Sequence, residues 1–326
     1  MVLTLVIEGE GERMKVLFVF SGNSRQGISP FIKEQASNLI DIGVRVDFFP
    51  IKGKGFVGYI RNIRQLKKTA KSGGYHIVHG HFLWSIIISL FSGIPKKIGT
   101  FHGSDLNIKS FRFLAKHVIV PFLDEVIVVN NDMRQWLRSD KVHVIPCGVD
   151  TKTFYPYGSR TATTECPVVV PGCVNIVFSS SFDRFVKNYP LAKQSIDELR
   201  LDKRVNLIEL RSYSREQVAQ ILNAVDLLLL TSLWEGSPQV VKEAMACNTP
   251  IVSVDVGDVR WLLDGLDGCY VASHDPEDIA SKIKQALDFR DKTKGRERLI
   301  ELGLDSESVA RRIVNVYERL MKEREL

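Results

Sequence analysis

Short apolar runs rich in β-branched residues alternate with segments of helical periodicity from Met14 to about residue 145, and the alternation resumes at Val174. Runs of this kind are buried by strand neighbours on both edges and helices on both faces, so the pattern commits the chain to βα units around parallel sheets. The spacing places strands near 15–20, 44–49, 76–79, 98–102, 126–129 and 142–145, then near 174–179, 205–210, 226–231, 250–254 and 269–271. Helices fill the intervals, among them 30–42, 59–70, 188–200, 214–225, 238–247 and 275–289. Residues 146–171 have no usable period and carry Pro146, Gly148, Pro156, Gly158, Pro167 and Pro171 around Thr161 to Thr164, which reads as the connection between two domains. The fold class is therefore α/β, with two doubly wound domains at 14–150 and 151–305 facing across a cleft. A last segment, 306–326, sets Val309, Ile313, Val316, Tyr317 and Leu320 on one helical stripe that must dock somewhere.

The composition narrows the functional classes. With 326 residues, 44% hydrophobic and 25% charged, the chain can build large cores, which excludes a disordered or disulfide-knotted scaffold. The longest apolar stretch, Phe82 to Pro95, is interrupted by Trp84, serines and Gly93 and is too short for the ~18 residues of a membrane span, so it reads as a buried helix. Five scattered cysteines (Cys147, Cys166, Cys173, Cys247, Cys269) match neither zinc nor redox spacing and point to reduced thiols in a cytoplasm. Residues 1–13 lack the layout of a secretory signal and are read as an extension outside the fold. Charge is uneven: residues 14–150 hold 19 Lys and Arg against 9 Asp and Glu, whereas 151–326 hold 24 against 26.

Gly53 to Gly58 spells G-x-G-x-x-G, a dinucleotide signature. It follows the second strand rather than the first, and no Asp or Glu lies between Asp47 and Asp105 to bind a ribose, so that reading is rejected. A stronger candidate follows the strand at 226–231. Ser237 is a suitable N-cap and Pro238 a suitable first helical residue, so a helix should begin beside Gly236, where close backbone approach and free N–H groups suit a phosphate. Glu235 stands just outside this helix. Glu243, one turn inside it, flanks the stripe of Val240, Val241, Ala244 and Met245. Taken alone, two surface glutamates are the plainer interpretation.

The segment Glu235-Gly236-Ser237-Pro238-Gln239-Val240-Val241-Lys242-Glu243, followed by Ala244 to Ser253 and then Asp255 to Val259, closely resembles the signature of retaining nucleotide-sugar glycosyltransferases of family 4, also called group 1. Ser29 to Gly55 is similar to that family's first loop, helix and second strand. Thr100 to Leu106, Val144 to Pro156 and Arg184 to Ala192 match further motifs in the same order. The resemblance implies the GT-B architecture of two Rossmann-like domains, with the helix at 306–326 crossing back to the first.

It also implies roles. Glu243 would accept hydrogen bonds from the donor ribose, and Glu235 would meet the hydroxyls of the transferred sugar. Arg184 and Lys187 would neutralise the diphosphate, together with the turn of Gly236, Ser237, Pro238, Gln239 and Val240. Two cations and helix N–H groups suit a leaving nucleoside diphosphate, which gains negative charge as the glycosidic bond breaks. His102 would lie near the donor sugar, with a satisfied loop histidine as the competing interpretation. Asp105 would orient the acceptor, or else cap the backbone from Leu106 onward. Gly27, in a loop that departs from the family's paired-glycine form, would admit the diphosphate to the first domain.

No Asp-x-Asp stands at a strand end, so the expectation is metal-independent transfer with no cofactor beyond the UDP- or GDP-sugar donor. The acceptor implied is a glycan or lipid-linked hydroxyl of surface glycan or lipopolysaccharide synthesis. Lys52, Lys54, Arg61, Arg64, Lys67, Lys68 and Lys71 form either a solvated helix face or a peripheral contact with the cytoplasmic leaflet. No nucleic-acid motif accompanies this charge. Two alternatives stay open: a nucleotide-sugar epimerase of the same architecture, and a non-catalytic scaffold that binds nucleotide or membrane.

Overall fold

A computed structural model describes residues 14–23, 27–158, 166–289 and 291–322. The proposed extension 1–13 and the threonine-rich part of the linker, Thr161 to Thr164, lie outside the described residues, as do 24–26 of the Gly22–Gly27 loop. Six strands form the first sheet: β1 (Lys15–Ser21), β2 (Arg45–Ile51), β3 (Ile77–His81), β4 (Lys96–Phe101), β5 (Glu125–Val128) and β6 (Val142–Val144). Five form the second: β7 (Val174–Phe178), β8 (Val205–Glu209), β9 (Leu227–Leu230), β10 (Ile251–Val254) and β11 (Cys269–Ala272). Their orders are β2-β1-β3-β4-β5-β6 and β11-β10-β9-β7-β8, with every pairing parallel. Both sheets are Rossmann-like and right for the expected fold class. The runs Val16 to Phe20 and Leu227 to Leu230 are buried throughout because helices cover both faces.

One local expectation needs correction. The helix expected at 59–70 is two, Gly55–Ile60 and Ile63–Gly73. Asn62 makes the break: its side-chain amide donates to the carbonyls of Lys52 (2.9 Å) and Gly58 (2.7 Å), competing with helical continuation. The apparent dinucleotide loop also closes on itself, since a Cβ on Gly58 would stand 2.6 Å from the Gly53 carbonyl carbon. Its glycines serve a tight turn.

The last helix, Ser306–Lys322, leaves the second domain and packs on the first. Val309, Ala310, Ile313, Val316, Tyr317 and Leu320 share one buried cluster with Val16, Phe18, Ile32, Ala36 and Ile98. Full burial of a large apolar side chain contributes roughly 1.5–3 kcal/mol, so a stripe of this size dictates where the helix docks. The two crossings lie side by side: Val149 donates to the Leu304 carbonyl at 2.9 Å and accepts from the Ser306 amide at 2.9 Å. With parallel strands in both halves, this arrangement turns the carboxyl ends of β1, β3 and β4 towards those of β7 and β9.

Candidate active site

The loops that leave those strand ends meet at backbone distance. A Cβ added to Gly236 would lie 2.5 Å from the His102 carbonyl oxygen, and one on Gly103 would lie 2.5 Å from the Gly236 α-carbon. Gly257 closes from the other side, where its Cβ would stand 2.5 Å from the Gly236 oxygen. Asn130, at the end of β5, donates to that same oxygen at 2.6 Å. Two further donors reach across the domains from the helix Gln239–Ala246. Lys242, fully buried, reaches the Cys147 carbonyl at 2.6 Å, and the Gln239 amide reaches the Gly148 carbonyl at 2.7 Å.

That helix starts one residue later than its sequence suggests. Pro238 occupies the N-cap position with φ −67° and ψ 112°, and no side chain caps it. Ser237 Oγ is buried and makes no capping bond, so Ser237 is not the N-cap and Pro238 is not the first helical residue. As at any helix start the first N–H groups lack intrahelical partners, although Val241 already donates to the Pro238 carbonyl at 3.2 Å. Val240 is half-buried against the core of the second domain.

On the second-domain side, Lys187 Nζ pairs with Glu235 Oε1 at 2.6 Å, and Ser232 Oγ donates to the same oxygen at 2.7 Å. The lysine is 8% exposed. Arg184 is exposed and donates from Nη1 to Ser180 Oγ at 3.2 Å. In sequence, Phe185, 81% exposed, lies between the two cations, and Trp234, 43% exposed, precedes Glu235.

Glu243 is not on an open flank. It is 7% exposed, and burial raises its carboxyl above the ordinary range against the opposing pull of Arg215. Arg215 donates from Nη1 to Glu243 Oε1 at 3.0 Å, while its Nη2 lies 2.7 Å from Glu34 Oε2 of the first domain. Ser306 Oγ holds the other Glu34 oxygen at 2.7 Å. Arg215 thus ties the two domains together at the carboxylate expected to meet the ribose. Gly27, across the cleft, has φ +73°, a conformation that favours glycine.

His102 follows β4 with its ring packed against Phe31, Phe82 and His81. Asp105 is buried, and its carboxylate accepts from the amides of Leu83 (3.2 Å), His102 (3.1 Å) and Gly103 (3.0 Å). It therefore shapes the His102 loop and does not cap Leu106. Despite those three bonds, burial lifts its pKa to about 6.

Three histidines stack inward from this loop: His102, His81 and His79, the last bonded to Tyr317 and Thr100 at 2.6 Å each. Burial pushes His79 and His102 down to about 3, helped by His102 and Lys242 respectively, and holds His81 well below its ordinary value. Unfolded histidine protonates near 6.5, so the unfolded chain gains the extra protons as pH falls. The stability carried by these neutral rings is complete above about pH 6.5 and is lost as pH falls towards 3. Ring-proton resonances of the three should therefore stay fixed between pH 8 and pH 5 in an NMR titration of the folded protein; movement of any of them would contradict the burial argument.

Sequence reading missed Arg215, Lys242, Asn130 and His81. Among the described residues no group of three or more His, Cys, Asp or Glu could hold a metal ion.

Comparison with known proteins identifies the family. The Glycosyltransferase Family 4 model matches residues 16–153 and the Glycosyl transferases group 1 model matches 187–288. The chain belongs to the family 4, group 1 glycosyltransferases. D-inositol 3-phosphate glycosyltransferase of Mycolicibacterium smegmatis is 39% identical over 279 residues, covering 71% of this chain and 64% of that relative. MMP alpha-(1->4)-mannosyltransferase of Mycolicibacterium hassiacum is 27% identical over 203 residues, covering 55% and 49%. The chain spans 59% to 66% of the length of the first three curated relatives it matches. Among solved structures, sucrose-phosphate synthase from Thermosynechococcus elongatus superposes with a TM-score of 0.72 at 17% identity, covering 95% of this chain and 99% of that one. Anabaena HepE, solved with UDP, gives 0.74 at 14%, covering 94% and 100%. This family 4 chain therefore has the GT-B fold.

Proposed function

We propose that the protein transfers a hexose-type unit from a nucleoside diphosphate sugar to an acceptor hydroxyl, with retention of anomeric configuration and without a metal ion. The observation that carries this is the meeting of Lys187, Glu235 and the start of helix Gln239–Ala246 opposite His102. A pyrophosphate binds where cations and helix N–H groups converge, and both stabilise it most as it departs. On this reading the diphosphate takes over Lys187 and Arg184. Glu235, released from Lys187, accepts from the sugar hydroxyls, and Glu243 accepts from the ribose. Gly236 lets the backbone approach, and the two domains exclude water. HepE was solved with UDP, which makes a uridine nucleotide the first donor to try and a guanosine nucleotide the second.

The acceptor proposed is a glycan or lipid-linked hydroxyl of surface glycan synthesis, met at the inner membrane face. Lys52, Lys54, Arg61, Arg64, Lys67, Lys68 and Lys71 are all exposed, and Phe113 and Phe122, 65% and 67% exposed, lie near Lys109 and Lys116 in sequence. Basic residues with exposed aromatics suit an anionic bilayer surface. No helix among the described residues is long and apolar enough to cross a membrane.

Calorimetric titration with UDP and GDP, followed by a screen for acceptor-dependent nucleotide release, tests the reading. Glu243→Ala and Arg184→Ala should each weaken nucleotide binding about tenfold, the scale of one charge-assisted hydrogen bond, with unchanged circular dichroism. Unaltered affinity in both variants would remove the site. Nucleotide release independent of any acceptor would point to the epimerase instead.

A further inference from the structure

The histidine behind His102 determines what His102 can do. His81 Nδ1 lies 3.2 Å from His102 Nε2, so one proton is shared between two neutral rings. Either His81 donates from Nδ1 or His102 donates from Nε2. His81 is fully buried, in ring contact with His79 at 4.4 Å and Phe18 at 4.6 Å between ring centres. Its remaining nitrogen, Nε2, has no hydrogen-bond partner among the described residues.

If His102 were the donor, the neutral His81 would have to carry its own proton on Nε2, creating a buried N–H with nothing to receive it. Orphaned buried donors are rarer and more costly than bare acceptors. The alternative places the His81 proton on Nδ1, pointing to His102, and leaves a bare lone pair at Nε2. His102 then accepts at Nε2 and must carry its own proton on Nδ1. That edge faces the interdomain linker, where Cys147 Sγ lies 3.8 Å away as a weak acceptor.

We propose that His81 is a positioning residue that fixes His102 as the Nδ1–H tautomer, so that His102 is not a proton acceptor. The functional consequence rests on the reading of His102 as a donor-site residue; the tautomer itself does not. With Nε2 bonded inward, no ring nitrogen of His102 is free to take a proton from an acceptor hydroxyl. Transfer must then draw its base from elsewhere, or from the departing phosphate.

The test uses the full chain without ligand, labelled with 15N-histidine, and long-range 1H–15N correlation spectra. His102 signals are assigned by their disappearance in His102→Gln. A protonated Nδ1 and a bare Nε2 are expected. His81 signals are assigned in the same way with His81→Phe, and the wild-type His81 is expected with Nδ1 protonated and Nε2 bare. A wild-type His102 protonated on Nε2 overturns the proposal, as does a wild-type His81 protonated on Nε2. Should His81→Phe not fold, the His102 spectrum of the wild type decides alone. UDP and GDP titrations of the same samples are read separately: failure of the wild type to bind either nucleotide defeats the donor-site reading and leaves the tautomer standing.

Discussion

Lys187→Met is expected to lower turnover by about 10²–10³-fold, the scale observed when one preorganised donor to a developing anion is removed. The same substitution strands Glu235, which keeps only Ser232 Oγ on the oxygen that both groups share. Breaking a buried pair typically costs about 3–5 kcal/mol, and the residual exposure of these side chains, 10% and 17%, favours the lower end. Loss of activity in the single variant could therefore reflect a damaged loop as much as a missing cation. Lys187→Met combined with Glu235→Met separates the two. Without an uncompensated carboxylate, the double variant should regain most of the thermal stability. It should remain inactive, because Arg184 and the helix start alone then face the leaving diphosphate and no carboxylate holds the sugar. Turnover measured beside melting temperature checks both halves. A double variant that recovers activity with stability, or a single variant within a few-fold of wild type, would make the pair a structural strut.

How much of this was legible depends on the range of the interaction involved. The strands follow from local apolar runs, which is why their sequence positions hold to within a residue or two at most ends. The helix beginning at Gln239 is different. Ser237 followed by Pro238 has the chemistry of a cap and a first turn, but cross-domain contacts decide: Pro238 is extended, and Gln239 is drawn to the Gly148 carbonyl. The same holds for the residues that sequence reading passed over. Arg215 looks like an ordinary first-turn arginine until Glu34 and Glu243 are brought to its two nitrogens. Lys242 looks like a solvent-facing neighbour of Glu243, yet it is fully buried against a carbonyl 95 positions away. His81 ends a buried strand and carries no local sign of the ring beside it. Glu235 lies in one contiguous motif and Arg184 and Lys187 in another, which is why the sequence could single them out as candidates. Their geometry, in which Lys187 holds Glu235, was not foreseeable from spacing.

Gly236→Ala should abolish closure of the cleft and reduce turnover by at least about 10²-fold, the scale of a misplacement near 1 Å at a reacting centre. The added methyl would fall 2.5 Å from the His102 oxygen and 2.9 Å from the Gly103 α-carbon. Both neighbours are backbone, so no side chain can swing aside. Gly257 limits retreat in the other direction, since even a Cβ built on it would stand 2.5 Å from the Gly236 oxygen that Asn130 also holds. The loop can accommodate a β-carbon only if the domains separate, taking His102 away from Lys187 and Glu235. Glu243 and Arg184 belong to the second domain and would stay in place, so nucleotide affinity should fall far less than turnover. Fluorescence transfer between dyes on the two domains should report a wider separation in Gly236→Ala with and without UDP. Gly257→Ala, which presses on the same oxygen from the opposite side, should reproduce the result. Normal turnover in either variant would show that this glycine contact is incidental to catalysis, and that the other cross-domain contacts suffice to bring the domains together.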